Sequence, residues 1–353
     1  MRVLIVKVSS LGDIIHTLPA VTDAYRARND ITFDWVVEEN FVEVPAWHPA
    51  VEKVIPVAFR RWRRSIIKTY LGHEFRAFKH ALQGVHYDLV IDAQGLIKSG
   101  VISRLSKGLT VGLSNHTIRE PMATLFYNKV YSVPWTEHAV DRVRQLFSRA
   151  LQYEYDPQQV DYGIDIDKIR AENNEEDEKQ VVFLHGTTWK TKHWPEIYWR
   201  QLAHIATEAG YKVILPWGNP EEKKRAEAIA SGNAMVTVLD KQSLSGLAKH
   251  IQQSRGVIAV DTGLGHLAAA LAKPAVSLYG PTDPGLSGTF GNNQLHLNSS
   301  FSCAPCVKKV CSYTGSSVTE EYQGSPFTVT PPCFATHNPA KVWQQFEQLL
   351  ENL

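Results

Sequence analysis

Residues 3–27 of the chain, VLIVKVSSLGDIIHTLPAVTDAYRA, carry the pattern that decides the fold. The apolar run predicts a buried strand, the Ser-Ser-Leu-Gly segment a turn, and the apolar spacing after it a helix interrupted near Pro19. Further apolar runs follow at FDWVV, KVIPV, DLVIDA and LTVGL, separated by stretches of helical periodicity. Strands that alternate with helices indicate a mainly parallel sheet.

The same alternation returns after a polar, acidic segment at residues 167–180, DKIRAENNEEDEKQ. Its strand-like runs are QVVFLHGTT, YKVILPWG, AMVTVL, GVIAVDTG and AVSLYGP. We therefore predict an α/β fold of two Rossmann-like doubly wound domains, residues 1–160 and 180–336, facing a central cleft between the carboxyl ends of their strands. We place a linker at residues 161–179 and a final helix at 337–353, a candidate to pack back on the first domain.

Composition and charge narrow the class of protein. With 44% hydrophobic and 21% charged residues, the chain is typical of a folded, soluble protein. The net charge is +1, from 37 basic and 36 acidic side chains, so long-range electrostatics favour neither nucleic acid nor a membrane surface. No stretch approaches the ~20 apolar residues of a membrane-spanning helix, and the first residues lack a cleavage signal. We expect a cytoplasmic protein that binds no nucleic acid and contacts membranes only peripherally.

A strand-to-helix junction in the second half, GVIAVDTGLGHLAAALAKP, is the first candidate site. Asp261, Thr262 and Gly263 precede a helix whose free backbone N–H groups suit a phosphate. Asp261 as a simple helix cap and His266 as an ordinary polar residue are the alternatives. The sequence has no Gly-x-Gly-x-x-Gly after an early strand and no Gly-x4-Gly-Lys-Ser/Thr, which weakens dehydrogenase and P-loop kinase hypotheses.

A second candidate is the loop in FLHGTTWKTKHWP. Thr187 and Thr188 directly follow an apolar strand, and Lys190 and Lys192 come shortly after. Hydroxyl, backbone and ammonium donors suit a diphosphate and the negative charge of a departing nucleotide. An exposed loop with solvated lysines is the alternative. Glu222 follows another strand, where it suits ribose hydroxyls or is simply a surface glutamate.

The first domain offers a carboxylate at the carboxyl end of its first strand. Asp13 lies at the loop-to-helix junction with Ser9, Ser10 and Gly12. It suits a general base acting on an acceptor hydroxyl. An N-cap or first-turn aspartate favoured by the helix dipole is the alternative.

A cluster of arginines follows the strand-like run KVIPVAF, in the segment FRRWRRS. Guanidinium groups match carboxylates and phosphates, so an anionic acceptor is one hypothesis and a solvated basic face the other. We predict that this basic segment binds the acceptor together with three further cations and three residues of the loop before Asp13: Arg60, Arg61, Arg63, Arg64, Lys7, Lys98, Arg119, Ser9, Ser10 and Gly12.

Six segments in this order resemble the ADP-heptose lipopolysaccharide heptosyltransferases of glycosyltransferase family 9, most closely its type I members: VSSLGDIIHTLP, FRRWRR, YDLVIDAQGLIKSG, HGTTWKTKHWP, VDTGLGHLAAAL and LYGPTDP. The resemblance runs from Met1 to about Gly291. It implies a GT-B fold and an inverting, metal-independent transfer of L-glycero-D-manno-heptose from ADP-heptose to Kdo of Kdo-lipid A, without a cofactor. It also implies a peripheral location on the cytoplasmic face of the inner membrane.

The resemblance assigns roles to the candidate residues. Asp13 matches the catalytic base, Glu222 the ribose contact, and the arginine run the acceptor-binding segment. Lys192 would stabilise the departing ADP. The remaining donor contacts are matched by Thr187, Thr188, Asp261, Thr262, Gly263 and His266.

Three alternatives stay open: a heptosyltransferase that acts on a later core heptose, a GT-B transferase with another nucleotide sugar, and a non-enzymatic adaptor that binds anionic glycolipid in lipopolysaccharide assembly. The sequence departs from the type I pattern after Gly291, in a segment that contains all four cysteines, Cys303, Cys306, Cys311 and Cys333. These thiols suit a structural zinc site or are free, and their spacing is irregular for a zinc ribbon.

Overall fold

The computed structural model describes residues 1–64, 72–169 and 177–353, apart from the side chain at position 178. The chain divides into two compact units, Met1–Lys168 and Ile169–Leu353. Among the described residues, every helix is too short or too polar to span a bilayer.

The first unit is a six-stranded parallel sheet with helices between its strands. The strands are β1 (Arg2–Val6), β2 (Thr32–Glu38), β3 (Val51–Val57), β4 (His86–Asp92), β5 (Lys107–Leu113) and β6 (Lys129–Tyr131). The described helices are α1 (Leu11–Ile15), α2 (Leu18–Ala27), α3 (Glu43–Ala46), α4 (Phe59–Trp62), α5 (His73–Gln83), α6 (Ile97–Leu105) and α7 (Ala139–Leu151), with 3₁₀ turns at Glu39–Phe41, Pro121–Phe126 and Ile166–Lys168.

The strand order, β3-β2-β1-β4-β5-β6, is the doubly wound order of a Rossmann-type sheet. Strand β1 lies in the centre, and its residues Val3–Val6 are fully buried, as a parallel strand covered on both faces requires. Helices α1 and α2 are separate, with Pro19 in the first turn of α2, so the predicted interruption is confirmed.

Two buried polar side chains stabilise this unit. The Arg144 guanidinium has no exposed surface and pairs with Asp23 at 2.7 Å. It also donates to backbone carbonyls in the segment 156–159 after α7. Breaking such a buried pair by removing one partner costs about 3–5 kcal/mol.

The second buried group is His48, which bridges two parts of the first unit. Its Nδ1 accepts a hydrogen bond from the backbone N–H of Ala50 at 3.1 Å, so its proton lies on Nε2, which is 3.0 Å from Thr22 Oγ1. Burial lowers the pKa of His48 to about 4. A second proton on Nδ1 would break the bond to Ala50, which is why the neutral ring belongs to the folded state.

The second unit repeats the architecture. Its strands are β7 (Asp177–Leu184), β8 (Lys212–Leu215), β9 (Val236–Val238), β10 (Ser254–Val260), β11 (Ala275–Tyr279) and β12 (Gln294–Asn298), with a separate antiparallel hairpin of β13 (Thr319–Tyr322) and β14 (Ser325–Thr328). The described helices are α8 (Glu196–Glu208), α9 (Pro220–Ala230), α10 (Leu244–Gln253), α11 (Gly263–Ala270), α12 (Pro284–Ser287) and α13 (Pro339–Glu351), with 3₁₀ turns at Lys190–Lys192 and Pro332–Thr336.

The parallel sheet of this unit has the order β12-β11-β10-β7-β8-β9. Numbered from β7, this is again the doubly wound order, with its switch point between β7 and β10. The predicted class, an α/β chain with two Rossmann-like sheets, is therefore confirmed.

The C-terminal helix packs into the second unit, whereas we predicted it as a candidate to pack back on the first. Residues Val342, Trp343 and Phe346 of α13 belong to the apolar core of the second unit, and Trp343 packs edge-on against Tyr211 at 5.3 Å between ring centroids. The helix buries its apolar face in the second unit because that core, next to β11 and α8, is where its large side chains find partners.

The expected linker is also shorter than predicted. Tyr162 is 5% exposed and Asp161 pairs with Arg26, so residues 161–168 belong to the first unit. Strand β7 already includes Asp177–Lys179. The rest of the predicted linker, residues 170–176, lies outside the described residues.

Candidate active site

In the first unit, Asp13 and the predicted residues Ser9, Ser10 and Gly12 lie in the loop and helix that follow the central strand β1. Asp13 lies in the first turn of α1, where its Oδ2 accepts hydrogen bonds from Ser10 N at 2.7 Å and Ser10 Oγ at 2.8 Å. Ser10 is the N-cap residue and Asp13 completes a capping box from the first turn, so the first-turn alternative for this carboxylate is correct. Both of these bonds fall on Oδ2, so proton acceptance at Oδ1 is compatible with the capping role.

The loop that precedes Asp13 is held from the neighbouring strand. Gln94, two residues beyond β4, accepts hydrogen bonds from the backbone N–H of Val8 and of Ser9, both at 2.9 Å. Gly12 is buried in α1. By holding this backbone segment, Gln94 fixes the position of the Asp13 carboxylate, as a supporting residue does in a pre-organised site.

Lys7 does not extend an exposed basic patch, contrary to the prediction. It is 7% exposed, and its Nζ donates to the carbonyl of Ala93 at 2.8 Å. Burial lowers the pKa of Lys7, and the nearby carboxylates of Asp13 and Asp92 oppose that shift. Lys7 is thus a buried cation behind Asp13, because the strand that carries it is central in the sheet.

The arginine run is not uniform. Arg61 donates to Glu39 at 2.9 Å and to Glu74 at 2.8 Å, and these hydrogen bonds raise its pKa. Its charge is therefore matched within the chain. Arg60, Arg63 and Arg64 are exposed.

Lys98 joins this surface as predicted. Its Nζ lies 5.6 Å from the centroid of the Phe59 ring, at the start of α4. Partial burial lowers its pKa; Glu38 opposes the shift, whereas the charges of Arg60 and Arg63 add to it. Arg119 is exposed in the loop after β5. Arg119 lies near Lys7, and the positive charge of Arg119 helps to lower the pKa of Lys7.

In the second unit, the two predicted donor loops meet. Lys192 Nζ lies 2.6 Å from Asp261 Oδ2, and Thr187 Oγ1 donates to the backbone carbonyl of Asp261 at 3.0 Å. Thr282, which follows β11, donates to the same carboxylate oxygen at 2.6 Å. The three loops come from adjacent strands, so the sheet itself brings these groups together.

Asp261 does not cap α11. Thr262 is the N-cap residue and Gly263 begins the helix, which leaves the carboxylate to pair with Lys192. His266 is buried one turn into α11, at 6% exposure. The helix start carries no side-chain cap, as the phosphate hypothesis requires.

Glu222 lies where β7 and β8 end. Its Oε2 accepts a hydrogen bond from Gly218 N at 2.7 Å, and a Cβ at Gly186 would lie 2.8 Å from its Cδ. Glycine at position 186 is what allows this approach. Asn219 caps α9 through the N–H groups of residues 221 and 222, which fixes the backbone that carries the glutamate. Thr188 is exposed.

Three side chains at this site are not predicted from the sequence: Thr282, His193 and Arg225. Arg225 Nη1 lies 2.7 Å from His193 Nδ1. Burial, with the charge of Arg225, lowers the pKa of His193 to about 4, so the neutral ring accepts this hydrogen bond. Arg225 is three residues after Glu222 on α9, and that helical spacing could have indicated it.

The cysteines stay reduced in this structure. Across the described ranges, no group of three or more His, Cys, Asp or Glu side chains is arranged as a metal site. The four cysteines nevertheless lie around one pocket.

The comparisons with known proteins agree with this geometry. The family model "Glycosyltransferase family 9 (heptosyltransferase)" matches residues 75–316. The chain is 52% identical to lipopolysaccharide heptosyltransferase 1 of Pseudomonas aeruginosa, over 99% of this chain and 98% of that protein.

Two solved structures are also similar. The Escherichia coli heptosyltransferase WaaC with ADP has a TM-score of 0.85 and 42% identity, over 99% of this chain and all of that one. The same enzyme with ADP-2-deoxy-2-fluoro heptose has a TM-score of 0.78 and 47% identity, over 85% and 93%. The fold is of the GT-B type, and the chain is a glycosyltransferase that belongs to family 9, the heptosyltransferases.

Proposed function

We propose that this protein transfers L-glycero-D-manno-heptose from ADP-heptose to a Kdo residue of Kdo-lipid A, in the synthesis of the lipopolysaccharide inner core. The observation that carries the proposal is the donor cluster of Lys192, Asp261 and Thr187 at the switch point of the second sheet. It occurs in a chain 52% identical to a lipopolysaccharide heptosyltransferase 1. A related structure was solved with an ADP-heptose analogue, which supports the donor.

In the proposed reaction, Asp13 accepts the proton of the Kdo hydroxyl as that oxygen attacks the anomeric carbon of the heptose. The bond from this carbon to the β-phosphate oxygen of ADP breaks, and ADP leaves with the electron pair. A single displacement inverts the anomeric configuration. Lys192 and the backbone N–H groups at the start of α11 stabilise the charge on ADP, the role that a divalent cation has in other transferases.

The donor contacts divide by chemistry. Glu222 accepts hydrogen bonds from ribose hydroxyls, since its carboxylate lies between the ends of β7 and β8. Thr187, Thr188 and Thr262 supply hydroxyl groups for the diphosphate. Because protein cations neutralise the leaving group, we expect transfer to need no added Mg²⁺ and to survive brief treatment with EDTA.

On the acceptor side, exposed cations recognise the carboxylate of Kdo and the phosphates of lipid A. Arg60, Arg63, Arg64 and Lys98 suit this role, because guanidinium groups match both anions. Arg61, already paired with two glutamates, holds α4 in place instead.

We further propose that the first unit contacts the cytoplasmic face of the inner membrane through an apolar patch. The patch comprises Ile97 and Val101 on α6 with Met122 and Leu125 on the turn Pro121–Phe126, all 39% to 77% exposed. A Cβ at Gly100 would lie 2.7 Å from the Phe126 ring, so glycine lets the two elements pack closely. Exposed apolar side chains that adjoin in this way favour a lipid surface.

Mass-spectrometric product analysis tests the reaction. The unmodified chain is incubated with ADP-heptose and Kdo-lipid A acceptors that carry one, two or phosphorylated Kdo residues, and we expect a single heptose to be added. Asp13→Asn should abolish transfer while ADP-heptose still binds in calorimetry. Full turnover by this variant would remove Asp13 as the base, and turnover with UDP- or GDP-sugars instead would favour another transferase.

Vesicle sedimentation tests the membrane contact. We expect the double variant Met122→Ser/Leu125→Ser to bind less to vesicles of phosphatidylglycerol and phosphatidylethanolamine than the unmodified chain. Leu286→Ser, at an exposed leucine of the second unit, is the control. Equal binding by all three proteins would contradict the proposed contact.

A further inference from the structure

The four cysteines converge on one place in the second unit although one of them, Cys333, is distant in sequence from the other three. Their spacing is Cys-x2-Cys-x4-Cys-x21-Cys, and the hairpin of β13 and β14 lies within the long interval. All four line a single pocket, together with Thr191, Gly280 and three prolines among its other residues. The fold of residues 299–337 thus returns Cys333 to the other three.

Cys333 forms the inner wall of this pocket. Its side chain is 6% exposed, and a Cβ at Gly280 would lie 2.9 Å from its Sγ. The backbone carbonyl of Cys333 accepts hydrogen bonds from Ser299 Oγ at 2.7 Å and Thr336 Oγ1 at 3.0 Å, so its position is fixed.

The cysteine loop, residues 303–311, is attached to the loops that form the donor site. The N–H of Val307 donates to the carbonyl of Pro281 at 2.7 Å, and Thr191 Oγ1 donates to the carbonyl of Lys308 at 2.6 Å. Thr191 adjoins Lys192, and Pro281 adjoins Thr282. Two residues that contact Asp261 are thus each one residue away from a hydrogen bond to the cysteine loop.

The sulfurs are not gathered into a closed ligand shell in the described structure. Cys303 and Cys311 are exposed and Cys306 is partly exposed, so rotation about their side-chain bonds can bring them towards the buried Cys333. Four thiols from one loop and one buried anchor are the donor set that Zn²⁺ takes in structural sites, and iron is the other metal that a tetrahedral set of four sulfurs holds.

We infer that Cys303, Cys306, Cys311 and Cys333 form a structural tetrathiolate metal site, most suited to Zn²⁺, that fastens the cysteine loop against the donor-site loops. Binding converts four thiols into four thiolate ligands and releases their protons to solvent. The metal takes no part in the sugar transfer. Its role is to hold Thr191 and Pro281, and through them Lys192 and Thr282, in position.

Metal analysis of the full chain tests the site directly. The protein is expressed in zinc-supplemented medium, purified with a reductant and without chelator, and analysed by inductively coupled plasma mass spectrometry. We expect one zinc per chain in the unmodified protein and loss of the metal in Cys303→Ser/Cys306→Ser. Ser302→Ala, an exposed neighbour, should keep it. Iron in place of zinc would support the same tetrathiolate site.

Two outcomes would overturn the inference. One is a metal content that is the same in the unmodified chain and in the double cysteine variant. The other is freshly purified protein whose cysteines are joined as disulfides and hold no metal. Because Cys333 is buried and its substitution risks misfolding, the exposed Cys311→Ser provides the second variant. Replacing the bound metal with Co²⁺ identifies the ligand type, since thiolate ligands give charge-transfer bands.

The consequence for the donor site rests on the proposed function and has a separate readout. We expect Cys311→Ser to raise the KM for ADP-heptose more than it lowers kcat, since it loosens binding loops and leaves Asp13 unchanged. Loss of metal without any change in this KM would refute the supporting role while leaving the metal site intact. Failure of ADP-heptose as a donor would leave the metal analysis unaffected.

Discussion

Lys192→Met removes the cation beside Asp261 while keeping a side chain of similar length, and two free energies should change. Loss of one donor to the charge that develops on the leaving group costs about 2.7–4 kcal/mol, or about 10²–10³ in kcat. In the folded state, Asp261 loses a partner 2.6 Å away where only 9% of its side chain is exposed. A hydrogen bond to a charged group contributes about 1.5–3 kcal/mol. Because Thr282 still donates to the carboxylate, we expect the lower end of that range.

The assay is ADP release under saturating Kdo-lipid A, with urea unfolding measured on the same preparations. Lys190→Met is the matched control, since Lys190 is exposed in the same loop. A cycle that adds Asp261→Asn measures the coupling of the pair, which we expect to lie within about 0.5–3 kcal/mol. The reasoning is refuted if Lys192→Met turns over as fast as Lys190→Met, or if the pair shows no coupling in either rate or stability.

Three further predictions follow from packing and protonation. Gly186→Ala should weaken ADP-heptose binding in calorimetry with little loss of stability, because the new Cβ would lie 2.8 Å from Glu222 Cδ and displace a flexible carboxylate. Arg144→Ala should lower the free energy of unfolding by about 3–5 kcal/mol, since it leaves Asp23 buried without its cation. The free energy of unfolding should fall by about 2 kcal/mol between pH 7 and pH 5 through His48 alone, and His48→Gln should remove that part of the fall in urea titrations.

The sign of the pH effect follows from the depressed pKa of His48, about 4 in the folded chain against about 6.5 when unfolded. The unfolded chain binds more protons across that window, so stability is present above it and is lost as the pH falls. A parallel pH dependence in the unmodified and His48→Gln proteins would contradict this.

The control for Arg144→Ala is Arg149→Ala, on the exposed face of α7. An equal loss of stability in both variants would show that burial of Arg144 is not the cause.

Sequence patterns could predict the strands and the residues at their carboxyl ends. Thr187 and Asp261 each follow an apolar run, and in a doubly wound sheet such positions converge by topology. Asp13 follows the first apolar run in the same way. Local sequence alone does not separate a role at the helix start from a chemical role, since Asp13 takes part in the capping box of its helix and Asp261 does not cap the helix that follows it.

What the sequence patterns missed depends on contacts between distant segments. Lys7 looked like part of a basic surface, but the centre of a sheet buries it. Arg61 looked like its neighbours, but Glu39 and Glu74 neutralise it. The destination of α13 could not be predicted either, because an amphipathic pattern predicts a buried face and not the surface that buries it.

The apolar patch on α6 and the adjoining turn also has a consequence for the behaviour of the purified protein. Leu125 exposes 77% of its surface and Met122 63%, so water is in contact with side chains that gain free energy by leaving it. In the absence of lipid, the nearest apolar surface is another copy of the chain. The apparent mass measured by light scattering should therefore rise with protein concentration and fall when a mild detergent covers the patch. Kinetic constants measured without detergent would describe a partly self-associated enzyme.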